Sequence, residues 1–196
     1  MRLKFLPALL LLLLPSLTVS ADLINIKVEK KGKRYYVQSE SVYYASRPAL
    51  FHVLLDYENF DKVSSVFTES YFLEPADDGA PRGFTRVSGC VLFFCTQIDR
   101  VDRLYVDEYE SIVAKTEPEN SDFKHSVGRW RFEGDESATR IHYEFEMEPG
   151  FWVPPVIGPY FLKKRLYEGA GDAMQRVEAL AQAWDLENKP KVSAAP

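Results

Sequence analysis

The chain has 196 residues, with Lys+Arg 24 against Asp+Glu 29 and a net charge of −5. Hydrophobic residues make up 46% and charged residues 27%, a globular composition that excludes wholesale disorder. The acidic balance excludes a general nucleic-acid binder, which needs a basic face, and two cysteines alone cannot make a four-ligand structural zinc site.

Arg2 and Lys4 precede an apolar run from Phe5 to Leu17, and Val19-Ser20-Ala21 places small residues where a signal peptidase reads. Residues 1–21 are expected to be a secretory signal peptide, cleaved before Asp22. The run is too short for the roughly 20 residues of a membrane span, and Pro15 interrupts it. The product is then exported into an oxidising compartment, and that bears on Cys90 and Cys95. They flank Val91-Leu92-Phe93-Phe94 at the tip of an apolar hairpin, where facing cysteines reach disulfide geometry. The two-residue spacing of a redox motif is absent, so a structural disulfide is expected.

Ile24, Ile26 and Val28 alternate as a strand, Lys30 to Lys33 turn, and Arg34 to Tyr44 read as a second strand. Ser46 with Arg47-Pro48 opens a helix through Leu55, because a capping hydroxyl precedes a first-turn proline. Tyr57 to Phe67 reads as a second short helical or irregular piece. Strands are then predicted near 69–75, 83–91, 95–104, 109–116, 126–133 and 139–148, separated by polar turns, as in a meandering antiparallel sheet. In the last strand Ile141, Tyr143, Phe145 and Met147 face one way and His142, Glu144, Glu146 and Glu148 the other, so one side of the sheet is covered and the other wet. Trp130 and Phe132 alternate with Arg129, Arg131 and Glu133 in the same manner. A proline-punctuated apolar stretch, residues 149–159, leads into a long helix from about Tyr160 to Trp184. Its apolar stripe runs through Leu162, Leu166, Ala170, Ala173, Val177, Leu180, Ala181 and Trp184. Residues 186–196 read as a disordered tail.

This order of elements resembles the helix-grip fold of the START-like, or SRPBCC, superfamily, an α+β fold with a curved antiparallel sheet wrapped around one long C-terminal helix. The resemblance covers residues 35–185, leaving 22–34 as an extra strand and turn. Within it Tyr43-Tyr44-Ala45-Ser46-Arg47-Pro48-Ala49-Leu50-Phe51-His52-Val53-Leu54-Leu55-Asp56-Tyr57 resembles the family's opening, a strand entering the first helix and ending at an Asp-Tyr cap. The nearest flavour is the coenzyme-Q-binding and polyketide-cyclase-like branch. The resemblance leans toward a periplasmic protein, with secretion as the alternative.

The resemblance implies an apolar cavity between sheet and helix that takes lipids, isoprenoid quinones, sterols or polyketides. Its expected lining is Trp130, Phe132, Tyr143, Phe145, Met147, Leu166, Ala170, Ala173 and Val177, with a filled core as the other reading of the same aromatics. Gly169 and Gly171 either leave space for a ligand or allow close helix–sheet packing. The cavity mouth is expected at Leu92, Phe93, Phe94, Phe151 and Trp152, beside the basic Lys163, Lys164 and Arg165. Such a mouth either docks on a membrane surface or folds inward as a cap. In Gln97 to Arg103 one alternating set faces inward, so Asp99, or Arg100 with Asp102, is a candidate polar anchor; charge on both faces of a surface strand is the alternative. His52, His125 and His142 form neither a metal-spaced cluster nor a catalytic motif. The expectation is a monomeric carrier without cofactor or metal. A cyclase, dehydratase or hydrolase using the same cavity, and an envelope protein that binds a protein partner through apolar loops, are the alternatives.

Overall fold

A computed structural model describes residues 20–91, 94–153 and 158–188, with side chains described except at 89–91, 94–96, 158–163, 165, 166 and 168. Strands β1 (Asp22–Lys31) and β2 (Arg34–Tyr43) form a hairpin around Gly32, whose φ of 61° suits a residue without Cβ. Helix α1 (Arg47–Leu55) begins where Ser46 Oγ accepts from Ala49 N at 3.2 Å and Pro48 sits in the first turn. A 3-10 turn (Tyr57–Asn59) and a single helical turn, α2 (Phe60–Val63), follow. Six further strands are β3 (Phe67–Leu73), β4 (Arg82–Val91), β5 (Phe94–Asp107), β6 (Ser111–Thr116), β7 (Phe123–Gly134) and β8 (Thr139–Pro149). Helix α3 (Gly158–Asn188) ends the described chain. Among the described residues no helix is long and apolar enough to cross a membrane.

The eight strands make one antiparallel sheet in the order β1-β2-β8-β7-β6-β5-β4-β3. After β2 the chain crosses by way of α1 and α2 to the far edge and returns strand by strand until β8 pairs with β2. Side chains alternate, so every strand sends one set to the concave face and one to the outer face.

One end of the concave face is filled. Leu50, Phe51, Ile112, Phe132, Ile141, Met174, Val177 and Ala181 are all buried there, joining α1 and the C-terminal half of α3 to the sheet. Polar contacts fasten the helix to the same end. Asp185 accepts from Ser46 N at 2.9 Å and from Ser46 Oγ at 2.5 Å, and Gln182 Nε2 donates to Tyr44 O at 2.9 Å. The turn after α1 locks onto β4: a Cβ at Gly83 would stand 2.2 Å from the Tyr57 ring, so only glycine lets that ring lie on the strand.

On the outer face Glu117 gathers the start of the β6–β7 connection. Its carboxylate accepts from Arg82 Nε at 3.0 Å and Nη2 at 2.7 Å, from Arg103 Nε at 2.7 Å and from Asn120 Nδ2 at 2.9 Å. These donors, Arg82 first, pull its pKa down to about 2 from the ordinary 4.5. A depressed carboxylate contributes stability above its unfolded pKa and loses it as pH falls through its folded pKa. Acid denaturation followed by circular dichroism is therefore expected to show a loss of stability between pH 4.5 and about 2 that the Glu117→Gln variant lacks. At neutral pH that variant is expected to be less stable by about 1.5–3 kcal/mol, the range for hydrogen bonds to charged groups.

Candidate functional site

The other half of the concave face is built from β7, β8 and β5. Trp130 stands opposite Tyr143, and Gly128 opposite Phe145. A Cβ at Gly128 would be 2.9 Å from the Trp130 ring, so the glycine lets the indole lie along the strand. Trp130 and Tyr143 have ring centroids 4.8 Å apart, and Tyr143 and Phe145 lie 6.2 Å apart and nearly parallel. The three rings form a ladder that is only partly buried, unlike the filled end. The ladder ends at a charge: the Arg100 guanidinium lies 5.8 Å from the centre of the Phe145 ring.

Arg100 and Asp102 are two residues apart on β5 and so share the concave face. Arg100 Nε lies 2.7 Å from Asp102 Oδ2, but its N–H makes no hydrogen bond. Asp102 is fully buried and satisfied from behind: Thr116 Oγ1 donates to Oδ1 at 2.6 Å, and Tyr57 Oη approaches Oδ2 at 3.4 Å. Burial works against the charged guanidinium, yet Asp102, Tyr57 and Tyr143 more than offset it and hold the Arg100 pKa above its usual value. Burial pushes the Tyr143 phenol up to about 12, so at neutral pH it is a proton donor and not a base. Burial likewise raises Tyr57. Among the described residues, Thr85 Oγ1 and Ser126 Oγ are buried without a hydrogen-bond partner. Thr85 stands opposite Arg100, and Ser126 opposite Met147, so both belong to the same face.

The sequence candidates divide accordingly. Trp130, Tyr143 and Phe145 make the ladder, whereas Phe132 and Val177 belong to the filled core and Met147 to a small buried cluster with Tyr35 and Phe123. Ala170 and Ala173 are half-buried on α3, and the Leu166 side chain lies outside the described residues. A Cβ at Gly169 or Gly171 would meet nothing within 4 Å, so neither serves close helix–sheet packing. Asp99 turns to the outer face, where Arg86 holds it at 2.6 and 2.7 Å; the inward set is Arg100 with Asp102.

At the expected mouth, Leu92 and Phe93 lie outside the described residues, as do the side chains of Phe94, Lys163 and Arg165. Lys164 is exposed. Trp152 is 76% exposed and does not cap the sheet. Its loop is held firmly at its base, because Gly150 N donates to Asp122 O at 2.7 Å and Phe151 packs edge-on against Phe123. The β4–β5 register places Cys90 opposite Cys95, and their side chains lie outside the described residues. Among the described residues no three His, Cys, Asp or Glu side chains gather as metal ligands. His52 stacks on Trp184, and His125 and His142 sit beside Glu146 and Glu133. A shallow depression of about 190 Å³ is lined by Lys27, Gln38, Glu40, Arg131, His142 and Glu144, with Tyr143 of the ladder also on its wall.

The family model described as polyketide cyclase/dehydrase and lipid transport matches residues 45–168. The chain belongs to this family. Solved structures agree on the fold. A START superfamily protein from Mycobacterium smegmatis is 16% identical, with a TM-score of 0.59 over 76% of this chain and 98% of its own. The Zhui aromatase/cyclase from Streptomyces sp. R1128 is 14% identical, with a TM-score of 0.57 over 80% and 97%. Human STARD10 is 12% identical, with a TM-score of 0.57 over 83% and 76%. No functionally curated protein matches the chain. The START-like helix-grip resemblance read from the sequence is thereby borne out.

What sequence reasoning missed is the support of the polar pair. Tyr57 and Thr116 reach Asp102 from 45 and 14 residues away. The only available signal was an Asp-Tyr cap after a short helix. Breaking a buried pair by removing one partner costs about 3–5 kcal/mol, because the other charge is left uncompensated. Asp102→Ala is therefore expected to destabilise the protein by that amount in urea unfolding. The Arg100→Met/Asp102→Ala double variant is expected to lose less than the sum of the two single changes.

Proposed function

We propose that the protein is an exported carrier of an apolar small molecule with one polar end, such as a lipid, an isoprenoid quinone or a polyketide-like compound. The observation that carries this reading is the half-covered ladder Trp130–Tyr143–Phe145 ending at Arg100. Three adjoining rings offer an apolar wall, and a guanidinium at one end fixes which way a ligand lies. Asp102 is sealed behind Arg100, so among the described residues the charge set at the end of the ladder is the guanidinium. The family description, which includes lipid transport, supports the same class.

The compartment proposed is the periplasm, reached through an N-terminal leader, with Cys90 and Cys95 joined across their hairpin. Trp152, exposed on its anchored loop, is proposed as the contact that docks the carrier on a membrane while the ligand transfers. A second reading is a cyclase or dehydratase, favoured by Arg100 and the protonated Tyr143 on one face: together they would polarise a ligand carbonyl and donate to it.

Native mass spectrometry of protein exported and purified without detergent, followed by solvent extraction, tests the proposal. The carrier reading expects a stoichiometric apolar molecule that is lost in Trp130→Ala and Phe145→Ala. It also expects unchanged ligand to pass to phosphatidylethanolamine/phosphatidylglycerol vesicles, more slowly from Trp152→Ala. A clean unliganded mass, with no uptake from a lipid and quinone mixture, contradicts it. A chemically altered ligand moves the weight to the enzyme. Thiol alkylation with and without prior reduction, read in the same spectra, reports whether the cysteines are joined.

A further inference from the structure

Glu178 lies on the buried side of α3 and is only 5% exposed. Its two described donors are neutral backbone groups. Ala21 N donates to Oε2 at 2.8 Å, and Tyr44 N donates to Oε1 at 2.8 Å. The Tyr43 phenol stands close enough that the carboxylate adds to the effect of burial in raising it. A buried carboxylate answered by uncharged donors lacks a full counter-charge.

Ala21 is itself a fixed part of the fold. It is half-buried and packs, with Leu23, against the main core cluster, whereas Ser20 before it is exposed. Strand β1 begins at the next residue, where Asp22 pairs with Val42. A cut between Ser20 and Ala21 leaves every one of these contacts in place. It also converts the nitrogen 2.8 Å from Glu178 into an ammonium. A cut after Ala21 removes that donor and the methyl group packed on the core. Thr18 and Ser20 put small residues at the positions read for the earlier cut.

We infer that the mature chain begins at Ala21, one residue upstream of the position expected from the sequence, and that Glu178 is the receptor for the new N-terminal ammonium. Processing then completes the attachment of α3: the ion pair exists only after the leader has gone. The inference rests on the export proposed above.

The full chain, expressed with its own leader and recovered from the periplasm of a Gram-negative host, is examined by intact mass. The expected mass lacks residues 1–20 alone. The rate at which acetic anhydride acetylates the α-amine at pH 7 is then compared between the wild type and Glu178→Gln. Pairing holds the ammonium protonated and covered, so the wild-type rate is expected to be at least ~10-fold slower, the factor set by one pKa unit. A mature chain starting at Asp22 overturns the inference while leaving export standing. A mass that retains the leader overturns both. A chain starting at Ala21 whose α-amine reacts equally fast in the two proteins overturns the ion pair.

Discussion

A guanidinium and a carboxylate 2.7 Å apart on the concave face of a sheet set the terms for the rest of this structure. Taking the two ions out of water costs several kcal/mol each, and their attraction repays that only when further hydrogen bonds hold the geometry. Those bonds form a chain of contacts from β4 to Arg100. Gly83 has no side chain, so the Tyr57 ring lies on β4; Tyr57 and Thr116 then reach Asp102; Asp102 keeps Arg100 charged inside the fold. The 3-10 turn after α1 thus forms the back wall of the candidate site.

A second constraint is the covering of the sheet. The covering is uneven: the residues under α1 and the C-terminal half of α3 are buried, whereas Trp130, Tyr143 and Phe145 are only partly so. The fold spends its best packing at one end, where Phe51, Phe132, Ile141 and Val177 meet and where Asp185 and Gln182 tie the helix down. The other end keeps Trp130, Tyr143 and Phe145 half-covered, together with hydroxyls at Thr85 and Ser126 that have no partner. Apolar wall and unused donors on one face are what a molecule with a greasy body and one polar end requires. Packing is therefore closest at one end of the sheet, and Trp130 and Phe145 are only partly buried where they pack against the core clusters.

The fold was legible because its signals are periodic. Alternation marked β8 residue by residue, the serine and proline marked the start of α1, and a three- and four-residue stripe marked α3. Element ends moved by a few residues. β5, for example, runs on to Asp107, because pairing with β6 through Asp107 and Ser111 extends it beyond its apolar core. The site was legible only in part. Alternation shows that Arg100 and Asp102 share a face, but not which face. That depends on register with β4 and β6, a long-range fact that places Gly83 and Thr116 beside Asp102. Trp130 and Phe132 are indistinguishable in the sequence. Phe132 is buried because α1 lies over it, bringing Phe51 within 5.9 Å, and no such helix covers Trp130 in full.

Occupancy of the ladder tests the account most directly. The probe is 1-anilinonaphthalene-8-sulfonate, an apolar dye with one anionic group, added to a Trp152→Phe/Trp184→Phe protein in which Trp130 is the only one of the three tryptophans left. Near-ultraviolet circular dichroism must first show native packing, since loosely packed states also take up this dye. One equivalent is expected to quench Trp130 by energy transfer, and the Arg100→Met/Asp102→Ala variant, which leaves no unpaired buried charge, is expected to abolish the quenching while leaving the native spectrum intact. A native protein whose Trp130 emission ignores the dye, or is quenched equally with and without Arg100, would contradict the account.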